Sequence, residues 1–125
     1  LTRSTYTQYP QYHSSADNLD LVSAKNLSDS LEMYLQIISI IENNRTYVNL
    51  FPKGEVQLGK RGLYGKMGGL QNRPSSELPL LWVLNLSDGE HSLLDICERA
   101  RLSFDTAQYA AEILIKHDLL KELNG

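Results

Sequence analysis

The stretch Leu81-Trp82-Val83-Leu84-Asn85-Leu86-Ser87-Asp88-Gly89-Glu90-His91-Ser92-Leu93-Leu94-Asp95-Ile96 decides the fold. Its first half is an apolar run that starts at Pro79. Proline suits a first helical turn, because the amide it lacks would have no intrahelical partner there. Ser87-Asp88-Gly89 stops the run with residues that favour turns. Ser92 then offers a capping hydroxyl ahead of Leu93, Leu94, Ile96, Cys97 and Ala100. Two short helices joined by a tight turn are predicted.

Outward from this stretch, Leu102-Ser103-Phe104 leads to a third helix carrying Ala107, Ala110, Ala111, Leu114 and His117. Leu119-Leu120-Lys121-Glu122-Leu123 reads as a short strand. Three helices followed by a strand is the order of a winged-helix domain, assigned to residues 77–125. The third helix of such domains can enter the major groove of DNA. Its expected outward positions are Asp105, Thr106, Gln108, Tyr109, Glu112 and Lys116. Two carboxylates and one amine would face a polyanion whose binding needs several cations. Packing or protein contact is the favoured use of this domain, and nucleic acid is disfavoured.

Upstream, residues 45–76 carry Arg45, Lys53, Lys60, Arg61, Lys66 and Arg73 against Glu55 alone. Closely spaced glycines and Pro52 cut every run below helix length, and alternation around Tyr47 to Phe51 is weak. This stretch is expected to be a basic connector that packs through Leu58, Leu63, Tyr64, Met67 and Leu70. In residues 1–44, Ser23 can cap a helix of roughly five turns. Its apolar positions Leu27, Leu31, Tyr34, Leu35, Ile38 and Ile41 recur at steps of three and four, which predicts one buried stripe ending near Asn43-Asn44. The tyrosine-rich opening around Pro10 has no helical period and is expected to be an extended loop or strand end.

Composition narrows the classes further. Twelve basic and fifteen acidic residues give a net charge of −3, which disfavours a strongly cationic nucleic-acid binder. No apolar stretch approaches the ~20 residues that span a bilayer. Cys97 is the sole cysteine, so no internal disulfide framework exists, and a reducing, cytoplasmic setting is expected. No signal sequence opens the chain. It begins with Leu1, not Met, as a piece of a longer protein would.

The residues alone favour modest chemistry. Gly54-Glu55-Val56-Gln57-Leu58-Gly59-Lys60-Arg61 nearly matches a phosphate-binding loop. Arg61 stands where a hydroxyl should bind Mg²⁺, and Gly62 and Gly65 replace the helix that should follow. A structural turn is the favoured reading. His13 lies close to Asp17 and Asp20, but one imidazole makes no metal site, and His91 and His117 have no ligand spacing to it. Asn26-Leu27-Ser28, Asn44-Arg45-Thr46 and Asn85-Leu86-Ser87 match the glycosylation triplet without a secretory signal to support them. Cys97 on an apolar helix face reads as a core residue.

The run Tyr9-Pro10-Gln11-Tyr12-His13-Ser14-Ser15-Ala16-Asp17-Asn18-Leu19-Asp20 resembles the P-E-Y-H-T-S-A-D-x-L-D segment of bacterial zinc aminopeptidase-like proteins. These have the fold of the co-catalytic di-zinc aminopeptidases and a C-terminal winged-helix domain. The resemblance continues through Pro52 to Tyr64, Gly68-Gly69, and Leu81 to Ile96. It implies a mixed α/β, mainly helical chain comprising the end of an aminopeptidase domain (1–44), a connector (45–76) and a winged helix (77–125). It implies that His13 is a zinc ligand and that Asp17 orients its ring. The function implied is the C-terminal portion of a zinc-dependent hydrolase of peptide or amide bonds. Its partners would be an upstream catalytic domain, a peptide-like substrate and, through the winged helix, a second copy. The sequence departs from the pattern at Gln11, where Glu is usual, and at Ser14, where Thr is usual. The other metal ligands and the general base would lie upstream, so this chain alone is not expected to be a competent enzyme. The alternative is a non-catalytic winged-helix module that binds protein or nucleic acid.

Overall fold

The computed structural model describes residues 2, 4–63 and 77–123. The chain divides into two compact units, Leu1–Glu42 and Asn43–Gly125. Four helices and a small antiparallel sheet are found among the described residues.

The first unit consists of successive turns and then helix α1, Ala24–Asn43. The Ser23 hydroxyl accepts from the Asn26 amide at 3.2 Å and so caps the helix as expected. The burial expected of its stripe is not found. No residue of α1 is buried, and Leu27, Leu31, Leu35 and Ile41 are each more than half exposed. The periodicity is real, but no surface within the first unit covers it.

The second unit is mixed α/β and has the winged-helix arrangement. Its elements are β1 (Thr46–Asn49), α2 (Leu78–Leu86), β2 (Asp88–Ser92), α3 (Leu93–Ala100), α4 (Phe104–Lys116) and β3 (Leu120–Glu122). The strand order is β2-β1-β3. Thr46 pairs with Ser92 and Val48 with Asp88, with an irregularity between them. On the other side Tyr47, Val48 and Asn49 pair with Glu122, Lys121 and Leu120. Residues from the stretch expected as a connector therefore supply the central strand. Leu58 and Leu63 from the same stretch are buried in the core, while Tyr64, Met67 and Leu70 lie outside the described residues.

Local hydrogen bonds explain the helix ends. Ser92 and Asp95 form a reciprocal capping box on α3, and the Ser103 hydroxyl accepts from the Thr106 amide at the start of α4. Two further amides of α3 are satisfied from the residues before β1. Leu93 donates to the Arg45 carbonyl at 2.8 Å, and Leu94 donates to Asn44 Oδ1 at 2.9 Å. At the end of α2, Asn49 acts in two ways. Its amide donates to the Ser87 carbonyl at 2.7 Å, and its Nδ2 donates to the Leu84 carbonyl at 3.1 Å. Helix carbonyls that would otherwise lack partners are thereby answered by the strand beside them. Gly89 has φ of +91°, and a Cβ there would lie 3.3 Å from Leu123 Cδ1, so both backbone and space favour glycine.

The core draws Leu80, Val83 and Leu84 from α2, Leu93, Ile96 and Cys97 from α3, and Ala107, Ala110, Ala111 and Leu114 from α4. Three alanines on one helix face let neighbouring helices approach closely. Burial raises the Cys97 thiol to a pKa of about 11. No described helix is long and apolar enough to cross a membrane.

Candidate functional site

The opening segment is not extended. It is a series of tight turns, closed by bonds from the Gln8 amide to Thr5, Tyr12 to Tyr9, Ser14 to Gln11 and Asp17 to Ser14. Pro10 occupies the second position of the Tyr9–Tyr12 turn, where its fixed φ is favourable. The Ser14 hydroxyl donates to the Gln11 carbonyl at 2.9 Å and accepts from the Ala16 amide at 3.3 Å. Asn18 Oδ1 accepts from the Asp20 amide. Short polar side chains thus compete successfully with extended structure.

His13 occupies the third position of the Gln11–Ser14 turn with φ of 55°. A left-handed backbone costs a residue with a Cβ about 1–2 kcal/mol. Here it brings two consecutive rings face to face. Tyr12 and His13 stack with centroids 4.2 Å apart and planes at 18°. Tyr9 meets Tyr12 edge-on at 5.7 Å, and Tyr6 meets it at 5.9 Å with a tilt of 54°. Aromatic pairs of this kind each contribute about 0.5–1.5 kcal/mol, enough to offset the backbone cost.

His13 is exposed. Asp17 lines a cleft of about 470 Å³ with Tyr9, Leu21, Val22 and Asn26, and the His13 ring lies on Tyr12 instead. The other two histidines are remote in sequence and have their own partners. His91 Nδ1 lies 2.8 Å from Asp88 Oδ2, and His117 Nδ1 lies 2.8 Å from the Ile113 carbonyl. Among the described residues no cluster of three or more His, Cys, Asp or Glu side chains is suited to a metal. His13 fits zinc as one donor of a larger set: an exposed imidazole with no hydrogen bond to either ring nitrogen among the described residues.

The basic loop takes no nucleotide-binding form. Turns at Lys60, Arg61 and Gly62 follow Gly59 where a helix would be needed. Buried Leu58 and Leu63 anchor the loop, and the Arg61 guanidinium lies 5.2 Å from the centre of the Phe51 ring. On α4, Asp105, Glu112 and Lys116 are exposed as expected. Thr106 is instead buried, its hydroxyl 2.7 Å from that of Ser103.

At the start of β2, Asp88 accepts from the Glu90 and His91 amides and faces the His91 ring. The two backbone bonds, with the His91 contacts adding to them, hold its pKa at about 2. A depressed carboxyl contributes stability above its unfolded value, near 3.9, and loses that contribution as pH falls through its folded value. The unit is therefore expected to lose stability between about pH 4 and pH 2. Asp88→Asn should flatten that part of a Tm-against-pH curve, and an unchanged slope would show that Asp88 is not responsible.

The sheet, the capped helix pair and α4 define a winged helix-turn-helix protein. The winged helix-turn-helix family model matches residues 45–122, and the chain belongs to that family. Residues 1–44 match a domain of unknown function, DUF4910. A Clostridium acetobutylicum protein named "Putative polysaccharide biosynthesis protein with aminopeptidase-like domain" is 50% identical over 121 residues. That match covers 97% of this chain and 28% of the relative. A crystal structure of a "putative peptidase" from Clostridium acetobutylicum has a TM-score of 0.77 at 45% identity, covering 92% of this chain and 24% of that one. The chain thus spans about a quarter of the length of each.

Proposed function

We propose that this chain is the C-terminal portion of a zinc-dependent, aminopeptidase-like hydrolase of peptide or amide bonds. The observation that carries this reading is the 50% identity over 97% of the chain to a protein whose name includes an aminopeptidase-like domain. The uncovered stripe of α1 supports it. Leu27, Leu31, Leu35, Ile38 and Ile41 form the face of a final catalytic-domain helix, seated on the preceding part of the same polypeptide. Burying one such side chain contributes about 1.5–3 kcal/mol.

His13 holds the metal through a ring nitrogen, together with ligands from the preceding part of the polypeptide. Zinc, when bound, polarises the scissile carbonyl and lowers the pKa of its water. The winged helix serves packing or self-association, since α4 turns Asp105 and Glu112 outward with Lys116. The buried, unpaired Cys97 suits a cytoplasmic setting.

The test is His13→Ala in the full-length polypeptide. Zinc affinity is expected to fall by more than the about 10–100-fold typical of residues that merely support a ligand. Release of N-terminal amino acids should fall with it. Zinc content that stays at the parent level would overturn the reading.

A further inference from the structure

We infer that Tyr12 is a positioning residue for the His13 imidazole, holding it by its face so that both ring nitrogens stay free. The inference rests on the proposed role of His13 and adds how that ring is aimed. A metal-ligating histidine is ordinarily oriented by a hydrogen bond from its second nitrogen to a carboxylate or carbonyl. His13 has no such bond among the described residues, and Asp17 lines the cleft with Tyr9 and Leu21. The ring is held instead by the stack on Tyr12 at 4.2 Å and 18°.

Neighbouring side chains do not ordinarily lie face to face. They point to opposite sides of a strand and diverge around a helix. The positive φ at His13 turns its Cβ back over the preceding residue and makes the stack possible. Tyr12 is itself braced, edge-on by Tyr9 and at a tilt by Tyr6. Three phenol rings thus fix one imidazole plane. Stacking occupies the face of the imidazole and leaves its edge, where the nitrogen lone pair lies, open to a cation.

The experiment compares Tyr12→Phe, Tyr12→Leu and His13→Ala in the full-length polypeptide. Zinc affinity is read by chelator competition. The His13 ring resonances are read by NMR in the metal-free protein after selective histidine labelling. Tyr12→Phe keeps the stacking face and should match the parent in both readouts. Tyr12→Leu should weaken zinc binding about tenfold and move the His13 resonances out of the shielded range. Parent-like affinity in Tyr12→Leu, with zinc lost in His13→Ala, would overturn this inference and leave the zinc reading standing. Parent-like affinity in His13→Ala would overturn both. Should Tyr12→Leu not fold, Tyr9→Leu removes the edge-on brace and leaves the stacked pair in place. It should weaken zinc in the same direction, and unchanged affinity there would count against the inference.

Discussion

Leu114→Ala is expected to destabilise the second unit by about 2–5 kcal/mol. The Leu114 side chain is fully buried in α4. Its carbonyl accepts from the Leu119 amide at 2.9 Å and the His117 amide at 3.3 Å, at the turn from α4 into β3. A cavity there loosens the helix layer and the strand beside it together. Small domains have net stabilities of about 5–15 kcal/mol, so the loss is a large share of the total. In a domain of this size each kcal/mol lowers Tm by about 4–8 °C. Trp82, the sole tryptophan, lies on α2 and reports the transition by fluorescence in a urea titration. Leu81→Ala, on the exposed side of α2, is the control and should stay within about 0.5 kcal/mol. Equal effects from the two substitutions would contradict the core described above.

The second large effect is expected on α1. Leu31→Glu and Ile38→Glu place charges on a face that is exposed in this chain. The Trp82-reported transition of the 125-residue chain should therefore move by no more than about 0.5 kcal/mol. In the full-length polypeptide the same changes should cost several kcal/mol. The apolar transfer term, about 1.5–3 kcal/mol per side chain, is lost, and a carboxylate must be buried or the helix undocked. Soluble yield and thermal midpoint, compared between the two lengths, supply the measurement. A full-length protein that tolerates both changes would show that the apolar stripe of α1 is not covered in the longer polypeptide.

Much of the second unit was legible because its signals are local. Pro79, Ser92 and Ser103 each mark a helix start within a few residues of their effect. The two remaining strands were illegible for a physical reason. Asp88-Gly89-Glu90-His91-Ser92 has little strand propensity, and only pairing with Thr46–Asn49, some forty residues earlier, makes it extended. Asn49 likewise looks like an unremarkable polar residue until its contact with the end of α2 is seen. The period of α1 could be read directly, but its burial could not, since periodicity indicates a face and says nothing of what covers it. Spacing alone did not single out His13, and the resemblance of its segment did. The stack on Tyr12 depends on one backbone angle that residue types do not encode.

The position of Cys97 gives the protein an internal timer. Its thiol is buried within the helix layer, and its high pKa leaves little thiolate near neutral pH. An alkylating reagent can therefore reach it only when that layer opens. Because the chain has one sulfhydryl, each modified molecule records one opening event. The labelling rate under native conditions thus yields the free energy of local opening without any engineered probe.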